Sequence, residues 1–394
     1  MRKFMILGAS ILQLPAIQQA KEMGLKVVAV DMDPNAIGFS ETDIEKEVIS
    51  TIDIPAVVEA AKRHDICGVV TVASDMPMRS VAAVAKELGL IGVSEETAIK
   101  ATNKADMRLA FSENGVASPF SKKVSSRGEF DEVAKGFEGK FIIKPADNSG
   151  SRGIFLIENI EDAAADYEYS RKFSRGGDVV VEEFMQGPEV SVELLAANGE
   201  YYVLQVTDKL TTGAPHFVEI GHSQPSSLPK DDIEKIKNLA IDAAKAVGIE
   251  NGPGHAEIIL TKDGPKMVEI GARMGGGCIT THLVPLSTGI NMTKATIQIA
   301  LGEKPDITEK YEKGAAIRFI IPPIGTIKEI SGVEDALAIS GVEVVEIQCE
   351  VGQTVGELES GASRIGYVIA QADNPQKAIE ICEQALKQIK ITVQ

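Results

Sequence analysis

Cysteine is scarce in this 394-residue chain, and its four copies are not paired by spacing. Cys67, Cys278, Cys349 and Cys382 form no CxxC pattern. That excludes a zinc ribbon or a disulfide framework and points to a reducing, cytoplasmic setting. No apolar run approaches the roughly 20 residues that span a bilayer. The apolar start, Met1-Arg-Lys-Phe-Met-Ile-Leu, breaks at Gln13 and again at Gln18-Gln19, so it reads as a buried strand and helix rather than a leader. Repeats and low-complexity tracts are absent. Positive charge is in deficit: the net charge of −17 argues against nucleic acid and anionic membranes as partners. Basic residues that do gather therefore mark a local site. What is present is ordinary for a globular protein, 44% hydrophobic and 25% charged residues, in a chain long enough for two or three domains.

Strands and helices alternate over the first hundred residues. Residues 3–9, 26–31 and 68–72 read as buried strands, and 14–24, 55–63 and 77–88 as helices, the pattern of a parallel α/β unit. The first turn, Gly8-Ala-Ser-Ile-Leu-Gln, lacks GxGxxG, which leaves nicotinamide binding with little support. Asp75 follows the third strand, where open α/β sheets bind ligands; a helix cap is the plainer alternative. Residues 94–114 read as one helix carrying Lys104.

The centre of the chain is a hairpin. His255-Ala-Glu-Ile-Ile-Leu-Thr and Pro265-Lys-Met-Val-Glu-Ile flank a short Asp-Gly turn. If Lys262, Asp263 and Gly264 form a three-residue loop, Glu257 stands opposite Glu269 on one face. Like charges so placed are destabilising unless a cation lies between them, and Mg²⁺ or Mn²⁺ suits two oxygen ligands. Two solvated carboxylates on an exposed face are the alternative. Behind the hairpin, Arg273 is a fixed bidentate phosphate donor, and Gly275-Gly-Gly277 lets backbone amides approach an anion. Together these suggest a metal–phosphate site.

Lys144 lies in an apolar strand over 140–145. The loop that follows, Ala146-Asp-Asn-Ser-Gly-Ser-Arg-Gly153, is not a Walker loop, because no Gly-Lys-Ser/Thr opens a helix. Its small residues can wrap phosphates. A helix over 161–173, a strand over 178–184 and an antiparallel pair over 189–196 and 201–208 come next. Residues 209–228, with His216, Glu219 and His222 within seven positions, read as a long irregular segment, a type that is usually functional or disordered. A helix over 229–247 leads into the hairpin. Residues 279–301 are helical with a break at 288–291, 304–313 reads as a linker, and the remainder is a small α+β unit.

Together these residues resemble the ATP-grasp enzymes of the carboxylate–amine ligase type, in particular the L-amino-acid ligases, over nearly the whole chain. The resemblance implies an α/β chain in three parts. A Rossmann-like domain would span 1–103. An ATP-grasp domain of two α+β lobes would span 104–310, with its flap lobe at about 115–185. A small α+β domain would span 311–394. It implies ATP with Mg²⁺ or Mn²⁺, held by Lys104 and Lys144 at the phosphates and by a flap at Asn148, Ser149, Gly150, Ser151 and Gly153. Glu182, Glu183, Phe184 and Met185 would form the adenine hinge and Glu189 would hold the ribose. Glu257 and Glu269 would hold the metal, and Arg273, with Lys144, would act in catalysis. Lys209, His216, Glu219, His222 and Gly276 would face the substrate. One departure is visible: the family commonly has Glu-x-Asn-x-Arg, whereas Glu269-Ile-Gly271-Ala-Arg273 has glycine in place of the asparagine, so one metal ligand is missing.

The implied reaction joins a small-molecule carboxylate to an amine through an acyl phosphate, releasing ADP and phosphate, on amino-acid substrates. A purine-pathway ligase of the phosphoribosylglycinamide synthetase type is the alternative; it needs a second phosphate patch, and 1–100 holds no compact basic cluster. A non-catalytic ATP-binding regulatory protein is another, with the missing asparagine as its support. A homodimer is one option for assembly.

Overall fold

The computed structural model describes every residue except 1, 149, 151, 162, 215 and 322. The chain is α/β with ATP-grasp architecture. Its N-terminal sheet is parallel, with Lys3–Leu7 between Lys26–Asp31 and Ile66–Val70, and Glu45–Val48 at one edge. Buried apolar strands such as KFMIL and KVVAVD suit a sheet covered on both faces. Helices Leu14–Glu22, Ile54–His64 and Met78–Leu88 accompany it.

The flap lobe is a four-stranded sheet in the order Ser121–Val124, Val179–Glu183, Phe141–Pro145, Phe155–Ile157. It has a core of its own, in which Phe130 stacks on Tyr167 at 4.6 Å between ring centroids. An eight-stranded sheet forms the rest of the centre: Gly264–Gly271, Gly252–Thr261, Glu189–Ala197, Glu200–Thr211, Glu219–Gln224, Gly314–Phe319, Gly366–Ala372, Val342–Ile347. Its last three strands come from beyond residue 311. Helix Lys230–Val247 covers it, and one apolar core, including Leu7, Val28, Ala240, Ile258 and Ile270, runs from the N-terminal sheet into it.

Three local differences from the sequence reading bear on the site. First, 94–114 is two helices, Glu95–Lys100 and Lys104–Glu113, because the Asn103 side chain caps the second by accepting from Ala105 N at 2.9 Å. Lys104 therefore opens a helix. Second, 209–228 is mostly ordered: Glu200–Thr211 runs through Lys209 and pairs with Glu219–Gln224, leaving a short loop. Third, the hairpin turns on two residues, with Thr261 facing Gly264. That register alone would set Glu257 against Val268. The register then shifts by one between Ile258 and Glu257, and Glu257 pairs with Glu269 after all. Among the described residues, no helix is long and apolar enough to cross a membrane, and the four cysteines are free.

Gly314 opens the strand that carries the chain into its last part, and a Cβ there would lie 1.9 Å from the Asn374 carbonyl carbon and 2.3 Å from Pro375 N. Asn374 caps helix Pro375–Leu386, so this backbone is not free to retreat. Gly314→Ala is expected to destabilise the chain by about 1–3 kcal/mol or more, read as a fall in melting temperature. An unchanged melting temperature would show that the cap yields.

Candidate active site

The site lies where the N-terminal sheet, the flap lobe and the hairpin meet. Ala73 N donates to the Met274 carbonyl at 3.1 Å, which ties the end of the third parallel strand to the segment behind the hairpin. Beside it, Arg273 forms a fork with Asp75: Nε to Oδ1 at 2.8 Å and Nη2 to Oδ2 at 3.0 Å. Asp75 is thus neither a cap nor free; it holds the arginine that the sequence assigned to phosphate. The fork lies against Gly271: a Cβ there would lie 2.9 Å from Asp75 Oδ1 and 3.2 Å from Arg273 Cζ, side-chain ends that would have to shift to admit an asparagine.

Two lysines line the phosphate side. Lys104 Nζ donates to the Asn148 carbonyl at 2.8 Å and lies 3.0 Å from Glu269 Oε2. Lys144 Nζ is 2.5 Å from Glu182 Oε2, and Arg108 Nε is 2.7 Å from Glu182 Oε1. Glu182 is buried among apolar strands, so its charge depends on these partners. Burial alone would raise its pKa, but Arg108 and Lys144 hold it below the usual carboxylate value. Lys144 is lowered, by burial first and by Arg108 and Lys104 as well, because two cations share one acid. An anion arriving here would correct that imbalance.

Glu257 and Glu269, which the sequence reading assigns to metal, face each other in register, but neither is bare. Glu257 Oε1 lies 3.1 Å from Lys209 Nζ and 3.4 Å from His255 Nε2, while Glu269 is held by Lys104. The expectation of uncompensated repulsion therefore fails: each carboxylate has its own cation. The other oxygen of each, Glu257 Oε2 and Glu269 Oε1, accepts no hydrogen bond among the described residues. Two such carboxylate oxygens fit Mg²⁺ bound together with nucleotide phosphates, the usual mode for this ion. They do not fit a metal held by protein alone, and no three acidic, histidine or cysteine side chains among the described residues are placed to grip an ion.

Lys209 is the hub of the opposite side. Its ammonium lies 2.6 Å from Glu189, 3.1 Å from Glu257 and 3.2 Å from Glu219. Burial opposes its charge, yet these three carboxylates raise its pKa well above the usual lysine value. Glu219 also has His222 Nε2 at 3.6 Å and Arg364 Nη1 at 3.8 Å.

The remaining assigned residues divide. Gly150 and Gly153 have positive φ, +71° and +78°, whereas Ser149 and Ser151 lie outside the described residues. Glu183, exposed, is held by Lys266, and Phe184 and Met185 follow it without regular structure. Gly276 has room, its nearest neighbour being Ala73 Cβ at 3.5 Å from an added Cβ. His216 is exposed on the 212–218 loop and is not brought to the cluster. Sequence reasoning missed Arg108, Glu193, His255 and Arg364. His255 was within reach of the sequence, since it sits two positions before Glu257 on the same strand face; Glu193 is its cross-strand neighbour and accepts its Nδ1 at 2.7 Å. Arg364 gave no local signal.

Because the Glu182 pKa is depressed, its contribution to stability is present above the ordinary carboxylate pKa of 4.5 and is lost as pH falls through the lower folded value. Glu182→Gln is expected to cost about 3–5 kcal/mol at pH 7. The melting-temperature gap to the unaltered chain should narrow below pH 4.5. A gap that is absent at pH 7 would contradict the triad.

With this geometry in place, comparison with known proteins is informative. Residues 137–282 match the model of the ATP-grasp domain, and residues 318–394 match that of L-amino acid ligase C-terminal domain 2. The alanine–anticapsin ligase of Bacillus amyloliquefaciens is 26% identical over 300 residues, which is 70% of this chain and 62% of that protein, so the match leaves over a third of the relative's length unaligned. The crystal structure of an L-amino acid ligase from Bacillus licheniformis superposes with a TM-score of 0.86 at 22% identity, covering 100% of this chain and 99% of that one. A phosphoribosylglycinamide synthetase from Anaerococcus prevotii superposes with a TM-score of 0.81 at 24% identity, covering 100% of both chains. The fold is that of the ATP-grasp ligases, and two separate segments of the chain are similar to the ATP-grasp domain and to the L-amino acid ligase C-terminal domain.

Proposed function

We propose that this chain joins a carboxylate to an amine at the expense of ATP, releasing ADP and phosphate, and that its substrates are amino acids. The observation that carries the reading is the facing pair Glu257 and Glu269, each anchored by a lysine, Glu269 by the phosphate-side Lys104. The terminal domain shared with L-amino acid ligases supports amino-acid substrates.

In the first step a substrate carboxylate oxygen attacks the γ-phosphorus of ATP and the bond to the β-phosphate oxygen breaks, giving an acyl phosphate and ADP. In the second, an amine attacks the acyl carbon, phosphate leaves, and the amine gives up a proton. These steps demand charge neutralisation and in-line positioning. Lys104 and Lys144 meet the triphosphate charge. The 182–185 backbone receives the base, and Glu189, with Oε1 on Lys209, offers its second oxygen to the ribose. Glu257 and Glu269 are the residues that would hold Mg²⁺ or Mn²⁺, which would supply further charge neutralisation when bound. Arg273, released from Asp75 by a competing anion, holds the acyl phosphate through the same fork. The 147–153 loop, fixed to Lys104 at Asn148, screens the acyl phosphate from water.

A second reading has a specific observation behind it. A cleft of about 460 Å³ between the N-terminal part and the flap lobe is lined by Lys104, Glu269 and Gly271, and also by Arg79 and Arg175. The two arginines, one from each side, provide the second basic patch that a phosphoribosylamine-type ligase needs.

A phosphate-release screen with ATP, Mg²⁺ and pooled amino acids, followed by mass spectrometry of the product, tests the function. ADP and phosphate are expected; AMP and pyrophosphate would reject it, since they signal adenylation. Glu257→Gln sharpens the test. It removes a partner of Lys209 and His255, so the metal-free chain should lose about 1–3 kcal/mol of stability. Turnover with Mg²⁺ should fall about 10²–10³-fold. Full turnover at ordinary Mg²⁺ would end the metal assignment.

A further inference from the structure

We propose that Arg364 binds a carboxylate that is not activated, the α-carboxylate of the amine substrate, and so makes the chain select an amino acid over an amine that lacks this group. The proposal deepens the reading above and rests on it for amino acids as substrates.

Arg364 belongs to the terminal unit and follows the short turn Gly361–Ser363. Its side chain is 19% exposed. The guanidinium carbon stands 3.8 Å from the centroid of the Phe319 ring, so one face is stacked. Nε donates to the Gly361 carbonyl at 2.9 Å, and a Cβ at Gly361 would lie 3.0 Å from Nη2, so the turn runs close beside the guanidinium. Ring and turn fix its plane. Its donors are largely unspent. Nη1 reaches the Glu219 carbonyl at 3.4 Å and Glu219 Oε2 only at 3.8 Å. Nη2 donates no hydrogen bond among the described residues. Glu219 is already met by Lys209 at 3.2 Å and His222 at 3.6 Å, so it is not the acid that Arg364 is placed to hold. A guanidinium carries five N–H donors in a rigid fork. Burial pushes this one below its ordinary pKa, and Glu219 offsets that only in part. A planar anion on the Nη edge would supply what is missing.

Position in the site narrows the choice of anion. A Cβ at Gly277 would lie 3.1 Å from His222 Nε2 and 3.7 Å from Phe319 Cζ, so the glycine segment behind Arg273 borders the corner where Arg364 stacks. Glu219 joins that corner to Lys209, and Lys209 joins it to Glu257. Arg364 is therefore within the candidate site, yet it shares no partner with Lys104 or Lys144, which pair with Glu269 and Glu182. When two amino acids are joined, one α-carboxylate is activated at the phosphates. The other must be bound and kept from them, and it survives in the product. A guanidinium inside the site but outside the phosphate cluster suits that second carboxylate. An acidic side chain on the acyl donor would offer the same chemistry, and the test separates the two.

The test compares glycine with glycinamide as amine substrate, by ADP release from the intact protein with an acyl donor identified in the pooled screen. The unaltered chain should favour glycine in kcat/KM. Arg364→Gln should cut that preference about 10–100-fold, through KM for glycine. Arg364→Lys, which keeps the charge but not the fork, should keep part of it. An arginine with only a structural role would lower both rates together, so a preference unchanged in Arg364→Gln overturns the proposal. An unaltered chain without the preference overturns it as well, as does a loss confined to acyl donors with acidic side chains. Should Arg364→Gln not fold, Arg364→Lys decides, and a preference equal to that of the unaltered chain counts against the proposal. A second readout needs no turnover: melting temperature with a non-hydrolysable ATP analogue, Mg²⁺ and either alanyl-alanine or its C-terminal amide. The free peptide should raise it more, and Arg364→Gln should remove the difference; equal shifts on the unaltered chain would reject the carboxylate site. The expected pattern of shifts without phosphate release from any amino acid would reject the ligase reading and leave the carboxylate site standing.

Discussion

A charge removed from water must be met by an opposite charge, and at Glu182 this requirement holds three parts of the molecule together. The carboxylate sits on a flap-lobe strand, between Lys144 of the neighbouring strand and Arg108 of helix Lys104–Glu113. Arg108 reaches on to the hairpin, donating to the Val268 carbonyl at 2.6 Å. Replacing any member by an apolar group would strand the others in a medium that penalises them heavily. Flap lobe, helix and hairpin are therefore fixed relative to one another by one acid and two bases.

The two sides of the site carry opposite imbalances. Around Glu182, cations outnumber carboxylates, and Lys144 is the group left short. Around Lys209, three carboxylates share one lysine, with His255, His222 and Arg364 at the margins. Such a gradient suits a polyphosphate at one end and cationic groups at the other, and it is built from side chains that keep each other ionised.

How much of this was legible depended on the range of the interaction. The parallel unit and the facing glutamates follow from local pattern, because periodicity and turn chemistry act over a few residues; Lys104 and Lys144 were given to phosphate only by the family resemblance. The Glu257–Glu269 pairing came out right although the loop was counted one residue too long; the register shift near Val268 compensated, and nothing marks Val268 as different from an ordinary strand valine. Asn103 carried a readable signal, a cap before a helix, that the run over 94–114 obscured. The clustered histidines and prolines of 209–228 disguised a strand pair whose support is tertiary. The Asp75–Arg273 fork spans 198 positions, and no local pattern could reveal it.

The large sheet does not stop where the chain passes residue 311. Strand Gly314–Phe319 is hydrogen-bonded along Glu219–Gln224, the strand that carries Glu219 and His222. The terminal unit is thus spliced into the wall of the active site by its backbone. A chain ending before Gly314 would leave Glu219–Gln224 as a raw sheet edge, open to pairing with other molecules. Exchange of terminal modules between relatives is constrained here: a donor must bring a strand that continues this ladder, or Glu219–Gln224 loses the neighbour that covers it.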